Sequence, residues 1–257
     1  MRGKLIFVFS CLVILLIPST IASKSVVDLE VEESLSSIDI GILAGALSPD
    51  GESVLVVGMD GYARELSALK ADDRTKDVEL NTGRTVSLND VAWHPRGQAA
   101  LIAGDKGVAL RYETSNHGVT LVNGTGSIIG RDLSTVEWRQ AGDYAYFGAE
   151  DGGVWRFAEG IGFIALDGSK NSSITGISCH RNFDVCVMST LDDGLAVIGS
   201  THNISWLSST SSDTWVDVDC AEPVLNECVA FGSGLRTRII SINSIDSTKS
   251  SAGASVQ

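Results

Sequence analysis

Short runs of alternating apolar and polar residues, each ended by a turn, recur along most of the chain. The stretch "DVAWHPRGQAALIAGDKGVALRY" from Asp90 shows the pattern, with three apolar runs separated by Pro-Arg-Gly and Asp-Lys-Gly. Period-two alternation between such turns is typical of antiparallel β-strands. Four other segments align with it, beginning at Gly45, Ser134, Ile174 and Trp215. No capped helical stretch separates the five segments, so the pattern predicts an all-β protein.

The second turn of every unit is centred on a glycine, at Gly61, Gly107, Gly152, Gly194 and Gly234. Glycine supplies the positive φ that tight reversals require. A weaker extended piece follows the third strand in four units, at "DVELN" from Asp77, "GVTLVNG" from Gly118, "GIGFIALDG" from Gly160 and "NISWLSS" from Asn203. Each unit is therefore predicted to contain four strands.

The residues that end the first strands are spaced 41 to 46 positions apart, at Leu47, Trp93, Trp138, Cys179 and Cys220. We interpret Leu47, Trp93 and Trp138 as equivalent core residues of the repeat. This spacing suits four-stranded blades. The sequence predicts a five-bladed β-propeller of four-stranded antiparallel blades over residues 24–245, with units near 40–85, 86–130, 131–172, 173–212 and 213–245.

The fifth unit has no obvious fourth strand, and we predict that a strand near the N-terminus closes the ring. The segment "SVVDLEVEE", Ser25 to Glu33, is a spare strand candidate. If it pairs with the last blade, the exposed edges disappear. The competing interpretation is an incomplete ring that docks on another propeller segment. The polar, Ser-rich residues 246–257 are predicted to form a disordered tail.

The first residues have the pattern of a secretory signal peptide, which we assign to residues 1–23. Arg2 and Lys4 precede a mainly apolar run from Leu5 to Ile17, and small and polar residues follow. The alternative is a membrane anchor, but this run is shorter than the roughly 20 residues that span a bilayer. We expect a secreted or cell-surface protein without a membrane span after cleavage.

The charge of the remaining chain restricts its partners. Removing residues 1–23 leaves 17 Lys and Arg against 32 Asp and Glu, a net charge near −15. Such a field repels nucleic acid, whose phosphates bind through Lys and Arg. The sequence therefore predicts no nucleic-acid partner.

Several segments resemble the blade motif of secreted WD-repeat-like β-propellers and of photosystem-assembly-factor-like propellers. They are "SPDG" from Ser48, "WHPRG" from Trp93 and "AGDKGVALRY" from Ala103. The resemblance covers about residues 40–245 and implies a propeller fold, but it is nearly silent on activity.

Four cysteines follow the signal peptide, and the hairpin register predicts how they pair. Tight turns place Cys179 opposite Cys186, and Cys220 opposite Cys228. Directly opposed positions in antiparallel strands are close enough for a disulfide, which a secreted protein normally forms. A metal site or a redox pair is the alternative, but CxxC spacing is absent. We predict two structural disulfides.

Searches for catalytic and cofactor motifs find none, and we predict no cofactor or metal. The turn position of His94 and His180 predicts exposure, and His117 and His202 have no evident partner. Turn chemistry accounts for the acids that recur near the second turns, Asp60, Asp105, Asp151 and Asp193. Asp217 and Asp219 form an unusual acidic pair on one strand face.

Three Asn-X-Ser/Thr patterns are possible glycosylation sites, at Asn123, Asn171 and Asn203. The favoured function is a noncatalytic extracellular scaffold that binds a protein or glycan. The alternative is a secreted glycan-processing hydrolase that uses carboxylates from separate blades in the central channel. Two or three carboxylates converging there would favour the hydrolase, whereas a channel of backbone and small residues would favour the scaffold.

Overall fold

The computed structural model describes residues 41–68, 77–210, 213–220, 226–242 and 254–256. These residues form five four-stranded antiparallel sheets, numbered 1 to 5 along the chain, in which the strands pair in chain order. The architecture is therefore all-β, with the four strands per unit that the sequence predicts.

The strands of the five sheets have the following bounds. Sheet 1 contains β1 (Ile42–Leu47), β2 (Ser53–Gly58), β3 (Ala63–Ser67) and β4 (Val78–Glu79). Sheet 2 contains β5 (Leu88–Trp93), β6 (Ala99–Gly104), β7 (Val108–Glu113) and β8 (Gly118–Leu121). Sheet 3 contains β9 (Leu133–Trp138), β10 (Ala145–Ala149), β11 (Val154–Ala158) and β12 (Gly162–Ala165). Sheet 4 contains β13 (Ile174–Cys179), β14 (Cys186–Thr190), β15 (Leu195–Ile198) and β16 (Ile204–Trp206). Sheet 5 contains β17 (Trp215–Cys220), β18 (Glu227–Gly232), β19 (Arg236–Ile242) and β20 (Ala254–Val256).

A β-bulge occurs at the second residue of the first strand in every sheet. In sheets 2, 3 and 4 this residue is polar, and its side chain donates a hydrogen bond to the carbonyl that begins the first strand of the next sheet. The three bonds are Asn89 Nδ2 to Leu133 O at 2.9 Å, Ser134 Oγ to Ile174 O at 2.5 Å and Thr175 Oγ1 to Trp215 O at 3.0 Å. In sheets 5 and 1 the bulge residues are Val216 and Leu43, which cannot donate from their side chains.

The second turns have the left-handed backbone that their glycines predict. The φ angles are +75°, +76°, +84°, +88° and +70° at Gly61, Gly107, Gly152, Gly194 and Gly234. In sheets 1 to 4 a second constraint applies, because a Cβ on the glycine would overlap a carbonyl of the segment that leads to the next sheet. At Gly234 of sheet 5 no described residue lies within 4 Å of that position.

Apolar side chains fill the spaces between consecutive sheets, from the space between sheets 1 and 2 to that between sheets 4 and 5. Trp93 and Trp138, predicted as core residues, are buried. Leu47 holds the equivalent position in sheet 1 but is 59% exposed. The prediction of a core role for Leu47 is therefore wrong, because no apolar cluster among the described residues joins sheet 5 to sheet 1.

The fourth strand of sheet 5 is β20, which pairs with β19 through Ala254, Ser255 and Val256. These residues belong to the segment that the sequence assigns to a disordered tail, so that assignment is corrected for 254–256. The predicted closing strand, Ser25 to Glu33, lies outside the described residues.

Both predicted cysteine pairs are disulfide-bonded, Cys179 with Cys186 and Cys220 with Cys228. In each pair the last residue of the first strand lies directly opposite a residue at the start of the second strand. The same register holds Trp93 opposite Ala100 in sheet 2, so the disulfides replace a large–small contact of the repeat.

Candidate functional site

Residues from the first strands of all five sheets line a central cavity of about 730 Å³. Four carboxylates belong to its lining: Asp90 of β5, Glu137 of β9, and Asp217 and Asp219 of β17. Of these, the sequence analysis identifies only the last two. The sequence analysis misses Asp90 and Glu137 because the pattern of one strand does not indicate which of its faces lines the channel. Alignment of the units could have identified Asp90, since it holds the same register position as Asp217.

Asp90 joins two neighbouring first strands through its carboxylate. Oδ1 accepts the N–H of Val91 at 2.8 Å, and Oδ2 accepts the N–H of Val136 in sheet 3 at 2.7 Å. Burial raises the pKa of Asp90 to about 6, although hydrogen bonds from Val136, Thr135 and Val91 act in the opposite direction. The residue therefore links sheets 2 and 3 at some electrostatic cost.

Glu137 has the strongest electrostatic perturbation in the channel. Burial is the largest cause, and the negative charges of Asp90 and Asp219 add to it, so that the pKa of Glu137 rises to about 8. Backbone hydrogen bonds involving Cys179 of sheet 4 and Trp138 lower it. At neutral pH Glu137 is mainly a neutral carboxylic acid, which can donate as well as accept a hydrogen bond.

Asp217 reaches across to the first strand of sheet 4. Its Oδ1 accepts the N–H of Val218 at 2.8 Å, as Asp90 does from Val91. A Cβ on Gly176 would overlap this same oxygen, so the glycine creates the space that the carboxylate occupies. Burial raises the pKa of Asp217, and the negative charge of Asp219 contributes to the rise.

The channel thus combines acids of different protonation at pH 7, since Glu137, with a pKa of about 8, is mainly neutral and Asp90, with a pKa of about 6, is mainly ionised. A pair of carboxyl groups with separated pKa values is the usual arrangement for general acid and base catalysis. The acids near the second turns, Asp60, Asp105, Asp151 and Asp193, are not part of the cavity lining. Within the described ranges, no group of three or more His, Cys, Asp or Glu side chains is arranged to hold a metal ion.

The prediction that His94 and His180 are exposed is wrong, because both are buried. Each ring folds back over its own turn, where Nδ1 accepts the backbone N–H two residues later, from Arg96 and Asn182. His94 Nε2 lies 3.0 Å from Gly142 O, and its ring packs edge-on against Trp138. These contacts with sheet 3 are long-range, so the turn position alone does not indicate them.

His117 and His202 both adopt positive φ, in the turns before β8 and β16. His117 Nδ1 lies 2.8 Å from Glu65 Oε2, and Tyr112 donates to the same oxygen at 2.5 Å. Arg156 donates to His202 Nε2 at 2.6 Å, so that Nδ1 carries the hydrogen that faces Tyr146. Burial and the Arg156 charge lower the pKa of His202. Both histidines therefore join neighbouring sheets.

The three predicted glycosylation asparagines, Asn123, Asn171 and Asn203, are exposed and lie outside the strands. Asn123 borders a second cavity, of about 570 Å³, between the outer strands of sheets 2 and 3. Arg111 lies in this cavity and pairs with Glu113 at 2.6 Å and with Glu159. The exposure is compatible with glycosylation, which stays a prediction.

A Glu137→Gln variant tests the protonation of the channel. Since folding raises this pKa from 4.5 to about 8, the folded protein binds the proton more tightly, and its stability falls as pH rises through that window. Glutamine cannot ionise, so the variant should be more stable than the wild type at pH 9, by about 2 kcal/mol after allowing for solvent in the channel. At pH 5 the two should be similar.

Urea denaturation between pH 5 and 9 measures this difference, with Glu52→Gln as the control because Glu52 is exposed. An advantage of Glu137→Gln that does not change between pH 5 and pH 9 would contradict the assignment.

Comparison with known proteins gives information about the fold. No protein-family model matches the sequence, and no curated protein matches it. The structure resembles the β-propeller domain of Cps50 (Swd1) from Myceliophteria thermophila, with a TM-score of 0.66 and 10% sequence identity. The match covers 86% of this chain and 73% of that chain. The fold is a β-propeller. At this identity the likeness carries no information about what the propeller binds.

Proposed function

We propose that this β-propeller is a noncatalytic extracellular scaffold of five blades that binds a protein partner. The observation that carries the proposal is where the exposed apolar side chains lie. Seven of the exposed large hydrophobic residues belong to the first strand of sheet 1 or to sheet 5, namely Ile42, Leu43, Leu47, Val216, Phe231, Leu235 and Ile239. Grouped exposed apolar residues are typical of protein interaction surfaces.

The chemistry of this surface favours a protein over a glycan. Phe231 and Ile239 present side chains that form no hydrogen bonds. Sugar hydroxyls buried against such groups would lose hydrogen bonds to water without replacement. An apolar protein surface has no such cost and gains from burial.

The disulfides support a location outside the cytosol, because such bonds persist in oxidising compartments. In the part of the chain that the structure describes, no helix is both long and apolar enough to cross a membrane. The predicted signal peptide, residues 1–23, lies outside that part. Secretion of the tagged full chain, read from the medium of expressing cells, tests this location.

Photo-crosslinking tests the protein-binding role. The full chain is prepared with a benzoylphenylalanine at Phe231, or at Ile161 as a control, and is mixed with the extracellular protein fraction of the source cells. Ile161 is also exposed and apolar but lies in a turn of sheet 3. We expect a discrete crosslinked protein from position 231 and none from 161. Equal products at both positions, or none at 231, would contradict the proposal.

A second candidate function is a glycan-processing hydrolase, because the four carboxylates in the channel lining are the outcome that favours it over the scaffold. The scaffold stays the first proposal because Asp90 and Asp217 are engaged by backbone N–H groups. Glu137 has the raised pKa of a general acid, and Asp219 would be the base or nucleophile. Release of reducing ends from a polysaccharide panel tests it, with Glu137→Gln and Asp219→Asn as paired variants. The scaffold proposal expects no release. Release that both variants abolish would establish the hydrolase instead.

A further inference from the structure

One face of sheet 5 carries apolar side chains, but no sheet among the described residues packs on it. We define the open face as Val216, Val229, Phe231 and Ile239. Val229 and Phe231 lie opposite Asp219 and Asp217, so the register identifies their counterparts in the other sheets. The counterparts of Val229 are 0–1% exposed, at Leu55, Leu101, Tyr146 and Val187. Phe231 is 46% exposed.

In sheets 1 to 4 these positions are buried because the next sheet packs on them. Leu101 and Ala103 of sheet 2, for example, belong to one apolar cluster with Val136 and Phe147 of sheet 3. At Val229 and Phe231 sheet 5 therefore has apolar side chains in junction positions on which no described sheet packs. Exposed apolar side chains that are grouped in this way are typical of interaction surfaces.

Two further features on sheet 5 point to a missing neighbour. Asp90 Oδ2 accepts a backbone N–H from the next first strand, whereas among the described residues Asp217 makes only the bond to Val218. Gly234 keeps the left-handed turn, yet no described residue lies within 4 Å of the position that meets a carbonyl in sheets 1 to 4. The carboxylate contact is thus made at sheet 2 and the glycine–carbonyl contact at sheets 1 to 4, whereas sheet 5 makes neither with the described residues.

Sheet 1 is a poor candidate for the missing neighbour. Its first strand leaves Ile42, Leu43 and Leu47 exposed. Among the described residues, no apolar cluster joins sheet 1 to sheet 5. The comparison points the same way, because the match leaves about a quarter of the Swd1 propeller domain without a counterpart in this chain.

We propose that the open face is the docking surface for a four-stranded antiparallel blade supplied by a partner polypeptide. This inference rests on the proposed protein-binding function and specifies the partner. The incoming sheet presents apolar residues to Val229, Phe231 and Ile239. Its first strand offers a backbone N–H to Asp217, and the segment leading into it passes beside Gly234. The partner blade therefore packs on sheet 5 through the kinds of contact that join consecutive sheets from 1 to 5.

A surrogate blade tests this proposal directly. The probe is a second copy of residues 86–130, which include all of sheet 2, joined through a flexible linker to the C-terminal end of the full chain. The reporter is Ile239→Cys, which is exposed in the parent chain, and the readout is its rate of maleimide labelling. The matched control carries Ile102→Glu and Leu110→Glu in the appended copy only, because these residues are part of the face that meets sheet 1.

We expect the appended sheet to slow labelling roughly ten-fold or more, and the control copy to leave the rate unchanged. Labelling at Ile161→Cys should not change with either copy. Equal rates at position 239 in all three proteins would overturn the proposal. Protection in the parent chain that depends on protein concentration and is removed by Phe231→Glu would also overturn it, because the occupant is then a second copy.

The two experiments on sheet 5 separate the inference from the function beneath it. A protein crosslinked at position 231, with no protection of Ile239→Cys by the appended sheet, would support protein binding and contradict a blade as the partner. Protection by the appended sheet, with no crosslinked protein, would support a face that accepts a blade and contradict an extracellular protein partner.

Discussion

A Gly107→Ala variant should lose about 3 kcal/mol of unfolding free energy, whereas Gly234→Ala should lose only about 1 kcal/mol. Both glycines have φ near +70°, so alanine pays the same backbone cost at each. At Gly107 the new Cβ also overlaps the Ile128 carbonyl and disturbs the hydrogen bond from Gly107 N to Arg131 O, 2.6 Å long. At Gly234 the added methyl meets no atom of the described part of the chain within 4 Å.

Urea unfolding followed by tryptophan fluorescence measures both losses under identical conditions. Gly234→Ala is the internal control for backbone strain, so the difference between the variants isolates the overlap with the segment that enters sheet 3. Losses of equal size would show that this segment moves away at little cost, and the tight junction described above would then have no energetic consequence.

Removing the disulfide of sheet 4 by Cys179→Ser with Cys186→Ser should cost about 2–3 kcal/mol. The bond closes a short loop, so its effect on the unfolded chain is at the low end for disulfides. Both cysteines are buried between sheets 3 and 4, so the loss of packing adds to the loss of the crosslink.

A second variant separates these two contributions. Cys179→Leu with Cys186→Val reproduces the pair Leu47 and Val54, which faces each other in sheet 1. It restores an apolar contact without the covalent bond, so it should recover part of the loss but not reach the wild type. A variant without the bond that is as stable as the oxidised wild type would show that the crosslink does not stabilise the fold. Thermal unfolding with and without reductant gives the comparison.

Most of the fold is predictable from the sequence because its determinants are local. Alternation sets the strands, glycine sets the second turns, and the length of the first turn sets the opposition of Cys179 with Cys186. Each of these depends on residues within one hairpin. The number of strands per sheet follows from the same local information.

The site is less predictable because its determinants are distant in sequence. Asp90 becomes a channel residue only when β9 packs beside β5, 46 residues away, and donates from Val136. The burial of His94 depends on Gly142 and Trp138 of the next sheet. Leu47 is exposed because no described sheet packs on that side of sheet 1, and no pattern within its own unit reveals this. β19 ends at Ile242 and β20 begins at Ala254, so no short turn in the sequence predicts that these two strands pair.

The overlap at the second turns has a consequence for how such chains are recombined. A glycine such as Gly107 leaves space for a carbonyl of the segment that leads to the next sheet, so this contact depends on two neighbouring sheets. The unit that can be exchanged therefore consists of the later strands of one sheet and the first strand of the next. Chimeras cut in mid-sheet should transplant intact contacts, whereas those cut between sheets would separate each glycine from the carbonyl it accommodates.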